Sequence, residues 1–186
     1  MTELCSSSEA LIGYSGTVVT ELRKGDIILD RRRYHNSGLS PLFNGLSKLL
    51  AGNSDAVLAK VQPYHIALYT LPSSSTANTE TSWNKLFPSL TRVTPYLPVS
   101  SRTFKDDEAI FSFNIPSDLI STNRPIYVLA LYPVSFDSAE PMKDALAFYK
   151  LANGDRWQEV TVNVSNTLLI EWRMNFTNKE ASTYEH

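Results

Sequence analysis

The strongest constraint on the fold is an alternation near the C-terminal end. In "LLIEWRMNF", residues Ile170, Trp172, Met174 and Phe176 fall on one side and Glu171, Arg173 and Asn175 on the other. A two-residue period of this kind is a β-strand with one apolar and one polar face, and the apolar face must be buried against another layer. Trp172 is therefore predicted to be a structural core residue, with Glu171 and Arg173 facing solvent.

Other segments repeat the signal. In "AIFSFNI", Phe111, Phe113 and Ile115 alternate with Ser112 and Asn114, and "VTVNV" alternates in the same way. "GTVVTEL" and "GDIILD" are short β-rich runs separated by the charged turn at Arg23, Lys24 and Gly25. "VLAKVQPYHIALYTL" is long enough for a bent strand, with Pro63 at a bulge or edge. "PIYVLALYPV" is apolar throughout, as a strand covered on both faces would be.

Two segments carry a helical period instead. In "SPLFNGLSKLLAGN", Ser40 is a candidate N-cap, Leu42, Phe43, Leu46, Leu49 and Leu50 form a stripe, and Gly52 ends the helix. In "SAEPMKDALAFYKLANG", Ser138 caps, Met142, Ala145, Leu146 and Tyr149 form the stripe, and Asn153-Gly154 ends it. That second helix is the predicted cover for "PIYVLALYPV". The polar stretch Ser73–Ser82 and the proline-rich, charged stretch from Pro95 to Glu108 are expected loops. The expected fold is mainly β: an antiparallel β-sandwich, jelly-roll-like, with two short helices in the connections. Residues 1–10 are expected to be a flexible N-terminus, 11–178 a single domain, and 179–186 a flexible tail.

Composition bounds the chemistry. In 186 residues, 42% are hydrophobic and 19% charged, which fits an ordinary folded domain rather than a disordered chain. The net charge of −2 excludes a polycation, so any nucleic acid must be held by a local patch. The single cysteine, Cys5, excludes an internal disulfide and cannot hold zinc alone. No apolar run is long enough for a transmembrane helix, and "MTELCSSSEA" lacks the charge-then-apolar order of a signal peptide. The sequons at Asn163 and Asn175 are accordingly expected to be chance.

Catalytic signatures are missing: the sequence has no phosphate loop, Rossmann fingerprint, HExxH or GxSxG. His65 alternates with Tyr64 and Ile66 and is expected to be structural or on the surface, and Cys5 has no evident base. The acids Asp106, Asp107 and Glu108 are expected to be a solvated loop tip. No enzyme activity, cofactor or metal is expected.

"IILDRRRYH" is the segment that does not fit a plain domain. Three aliphatic residues, of the kind that enter a core, run into Asp30 and then Arg31, Arg32 and Arg33. Strict alternation would place Ile28, Asp30 and Arg32 on one face and Ile27, Leu29 and Arg31 on the other. Asp30 is then a structural carboxylate at the strand end, pairing with an arginine or capping a turn. The three arginines, with Arg23 and Lys24, form a candidate phosphate-binding patch, and Tyr34 and His35 are candidates for stacking on a base.

The order of an apolar strand ending in one aspartate and basic residues, then "LFNGLSKLLAGN", then "VLAKVQPYHIAL" resembles the 30K superfamily of plant-virus movement proteins over residues 27–70. The resemblance implies a jelly roll related to coat proteins, with Asp30 as the family's aspartate and "QPYHIAL" as its second landmark. It further implies binding to single-stranded nucleic acid or viral nucleoprotein, self-association, and action in the host cytoplasm and plasmodesmata during cell-to-cell spread. Two alternatives stand beside it: a virion structural protein, as a small coat or matrix subunit, and a non-viral β-sandwich binding module.

Overall fold

The computed structural model describes residues 11–38, 42, 44, 48, 52, 55–71, 82–105, 108–120, 125–153 and 156–179. Strand β1 (Leu11–Lys24) turns through Gly25 and Asp26 into β2 (Ile27–Gly38), with Lys24 paired to Ile27. Gly25 has φ of +59°, a left-handed conformation that glycine adopts without steric cost, and this permits the two-residue turn.

Helix α1 (Asp55–Val61) leads into β3 (Pro63–Thr70). A helical turn α2 (Trp83–Leu86) continues into a 3₁₀ turn at Phe87–Ser89. Short strands β4 (Thr91–Arg92) and β5 (Leu97–Pro98) precede β6 (Ser101–Lys105) and β7 (Glu108–Pro116). After β8 (Val128–Pro133) come the turn α3 (Pro141–Asp144) and β9 (Ala147–Lys150). A small ribbon, β10 (Ala152–Asn153) with β11 (Arg156–Trp157), precedes the long β12 (Thr167–Lys179).

The protein is an antiparallel β-sandwich. Its main sheet runs β4-β3-β8-β9-β2-β1-β12-β7-β6, with β5 also on β3. The long β2 joins the two leaves: its residues up to Asn36 pair with β1, while Ser37 and Gly38 pair with β9. The front leaf is β2-β1-β12-β7-β6, the back leaf β3, β8 and β9 with β4 and β5. The chain passes from front to back after β2, returns before β6, and repeats the excursion through β8 and β9 before β12. Strand β12 is inserted between β1 and β7, so the first and last long strands pair along thirteen positions, from Leu11–Lys179 to Arg23–Thr167.

Alternation fills the space between the leaves. Val18, Phe111, Phe113, Ile115, Ile170 and Trp172 from the front meet Ile66, Leu68, Leu129 and Leu131 from the back. Trp172 is fully buried, as its place in the alternation predicts. Glu171 and Arg173 are on the opposite face as expected, but are only partly exposed. Arg173 reaches Glu108 at 3.2 Å and Glu171 at 2.7 Å, so the ion pairs lie flat on the sheet.

Strand β8 is buried along its whole length, as an uninterrupted apolar run demands. Its second face, Val128, Ala130 and Tyr132, packs with Trp83, Leu86, Ala145 and Phe148. The predicted cover, a helix over Ser138–Asn153, is not what forms. Only Pro141–Asp144 is helical, and Ala147–Lys150 is a strand paired with β8. Apolar residues at 145, 146 and 149 fit a helical stripe and equally a strand buried on both faces, and the β8 ladder decides for the strand. The turn Trp83–Ser89 provides much of the cover instead, with the Trp83 indole N–H donating to the Met142 carbonyl at 3.0 Å.

The expected bent strand over residues 57–71 is also divided. Ala56, Leu58, Ala59 and Lys60 favour the helix α1, which ends before Pro63, and only β3 is extended. The β3–β8 register does shift between Pro63 and His65, the bulge the proline suggested. The predicted helix Ser40–Gly52 lies mostly outside the described residues. Within it Leu42, Asn44 and Lys48 are helical, and Leu42 is buried in the core. Cys5, Asp106, Asp107 and most of Ser73–Ser82 also lie outside the described residues.

Candidate nucleic-acid interface

The basic cluster lies on the β1–β2 hairpin, at the edge of the front leaf. In an antiparallel pair, directly opposed residues share a face. Val18–Tyr34 and Thr20–Arg32 are opposed on the inner face, while Val19–Arg33 and Glu21–Arg31 are opposed on the outer face. Between Leu22 and Arg23 the register shifts. Leu22 opposes Asp30 but Arg23 opposes Ile28, so Leu29 is an extra residue in a β-bulge. The bulge breaks the expected alternation: Asp30 and Arg32 remain on the inner face, whereas Ile28 moves to the outer one with Arg23.

The apolar run does not enter the core. Ile27, Ile28 and Leu29 are 66%, 46% and 51% exposed. They lie at the turn end of the hairpin, far along β2 from the pairing with β9 at Ser37 and Gly38 that joins the back leaf.

The five basic residues split into two groups. On the outer face, Glu21 is buried and accepts from Arg23 Nε at 2.8 Å and pairs with Arg31 Nε at 3.1 Å. Arg33 is exposed on this face and Lys24 is exposed on the inner one, opposite Ile27 at the hairpin end; among the described residues neither is paired with a carboxylate. On the inner face Arg32 is committed to structure. Its Nε pairs with Asp30 Oδ2 at 2.7 Å, and its Nη1 donates to the carbonyls of Gln158 at 2.7 Å and Glu159 at 3.3 Å. Asp30 therefore orients an arginine that ties the sheet edge to the segment before β12. Of the three consecutive arginines, Arg31 and Arg33 face solvent together, and Arg32 faces the other way.

Tyr34 is not placed to stack on a base. It is buried, and its ring packs on Tyr149 with centroids 4.8 Å apart. Burial raises the pKa of its phenol above the ordinary tyrosine value, against the opposing pull of the adjacent Arg32. The side chain of His35 lies outside the described residues. His65 is partly buried in β3, and its Nδ1 lies 2.9 Å from the Pro133 carbonyl, a structural contact.

Two contributors escaped the sequence reading. Glu21 neutralises part of the patch; the Gly25-Asp26 turn alone would set it opposite Asp30, and the bulge at Leu29 moves it opposite Arg31. The Gln158 and Glu159 carbonyls could not be found, because backbone groups brought together across 126 and 127 positions leave no residue signature. From Glu21 to Arg33 the hairpin holds five cations and three carboxylates, a surplus of two in a chain of net charge −2. Among the described residues no group of three or more His, Cys, Asp or Glu is arranged to hold a metal ion, and no helix is long and apolar enough to cross a membrane. Comparison with protein-family models, curated proteins and solved structures gave no match.

Proposed function

We propose that the chain is a non-enzymatic viral movement protein of the 30K type that binds single-stranded nucleic acid or nucleoprotein along the outer face of the β1–β2 hairpin. The observation that supports this is the cationic surplus on that face, where Arg33 is exposed and Arg31 and Arg23 share the one carboxylate of Glu21, with Lys24 exposed at the hairpin end. Phosphate contacts by such residues carry no sequence preference and weaken with salt. The site of action on this proposal is the host cytoplasm and plasmodesmata.

Fluorescence anisotropy with a labelled single-stranded oligonucleotide over a salt series tests it. The variant Lys24→Gln/Arg31→Gln/Arg33→Gln, which spares Arg32, is expected to bind more weakly. Its salt dependence is expected to flatten by about 0.7 per lost phosphate contact. A wild-type chain that fails to bind at low salt overturns the proposal. A virion structural role is the second reading, favoured by β6, whose residues Ser101–Lys105 are all exposed on the other edge of the front leaf. Light scattering separates the two, since a shell or layer subunit forms assemblies of large mass without nucleic acid.

A further inference from the structure

Exposed aliphatic side chains collect at one end of the front leaf. Across that end Ile28 opposes Arg23, Arg23 opposes Thr167, and Thr167 opposes Pro116, in four neighbouring strands. Ile27, Ile28 and Leu29 stand at this row, Val164 lies three residues before Thr167, and Leu119 three residues after Pro116. Val164 is 86% exposed. Exposure of one such residue is ordinary, but five at one end of one leaf mark a contact surface.

We propose that this end of the sandwich docks on an anionic lipid bilayer, with Ile27, Ile28, Leu29 and Val164 entering the interface and Lys24, Arg31 and Arg33 meeting headgroup phosphates. The distribution of apolar groups selects this occupant. Ile27 and Ile28 point to opposite faces of the hairpin, and the bulged Leu29 follows them, so the tip is apolar on both sides. A protein partner laid on one face of the leaf would leave the other side wet, whereas a bilayer surrounds an inserted tip. Ile27, Ile28 and Leu29 beside the Gly25-Asp26 turn offer a base no aromatic or guanidinium plane to stack on. Lys24 opposes Ile27 at the tip, and Arg31 and Arg33 follow Leu29 behind it, where headgroups would lie. Asp26 in the turn and Asp118 beside Leu119 oppose them, so the small charge surplus requires the apolar insertion as well.

The test is flotation of the full chain with vesicles of phosphatidylcholine alone or mixed with phosphatidylserine. The wild type is expected to float with the mixed vesicles, less so at high salt. Ile27→Ser/Leu29→Ser is expected to cut partitioning by about tenfold or more, while keeping its thermal midpoint and its oligonucleotide binding. Arg31→Gln/Arg33→Gln is expected to lose the preference for phosphatidylserine. Wild-type protein that stays unbound to both vesicle types, or a tip variant that floats as well as the wild type, overturns the proposal. So does a tip variant that changes only the mass measured by light scattering, which would make the tip a contact between copies. Failure of oligonucleotide binding alone would overturn the nucleic-acid reading and leave this one standing.

Discussion

Replacing Arg32 by glutamine separates the structural arginine from its two neighbours. The substitution removes the pair with Asp30 at 2.7 Å and the donor to the Gln158 carbonyl at 2.7 Å. The Arg32 and Asp30 side chains are 31% and 37% exposed, so water screens their ion pair to about 0–1 kcal/mol. The charged hydrogen bond to a part-buried carbonyl adds about 1 kcal/mol after the same discount. Arg32→Gln is therefore expected to cost about 1–2 kcal/mol. Asp30→Ala removes only the ion pair and should cost at most about 1 kcal/mol. Arg33→Gln, exposed and without a carboxylate partner, should stay within about 0.5 kcal/mol of wild type. Urea unfolding followed by tryptophan fluorescence measures all three, with equal slopes confirming that stability alone has changed. The double variant should lose less than the sum of the singles, because they share one interaction. If Arg33→Gln costs as much as Arg32→Gln, the assignment of Arg32 to structure and Arg33 to solvent is refuted.

Trp172→Ala is expected to cost about 3–5 kcal/mol, from a fully buried position between the leaves, and an unchanged melting midpoint would remove β12 from the core. Tyr69 and Tyr132 share a buried hydroxyl–hydroxyl hydrogen bond of 2.6 Å. Tyr69→Phe should cost about 1–3 kcal/mol by orphaning the Tyr132 hydroxyl, and Tyr132→Phe should cost less because Tyr96 also reaches Tyr69. Equal losses in denaturant unfolding would contradict that difference. Burial raises the pKa values of Tyr69, Tyr132 and Tyr149 in the folded state, so folding holds their protons more tightly than the unfolded chain does. Their contribution is therefore whole below the unfolded tyrosine value of about 10 and is lost as pH rises beyond it. A thermal midpoint that remains flat from pH 9 to pH 12 (roughly two units past that value) would argue against it.

Periodicity made the antiparallel sandwich legible. In β7 and β12 one face is buried and the other polar, and a side-chain period of two leaves no other assignment for Phe111, Phe113, Ile170 and Trp172. The Gly25-Asp26 turn was equally local, since it depends on one residue free to adopt positive φ. Where apolar residues face both ways, local pattern ceased to discriminate: residues 145–149 satisfied a helical stripe, and only the β8 ladder made them a strand. The functional edge was the least legible part. "IILDRRR" fixed that cations follow aliphatics, but a bulge at Leu29 decided which face each took. The Gln158 and Glu159 carbonyls, distant in sequence, claimed Arg32 and left Arg33 in water. Exposure of Ile27, Ile28 and Leu29 depended on the bulge and on their distance along β2 from its pairing with β9, properties of the packed sandwich that no window of sequence contains.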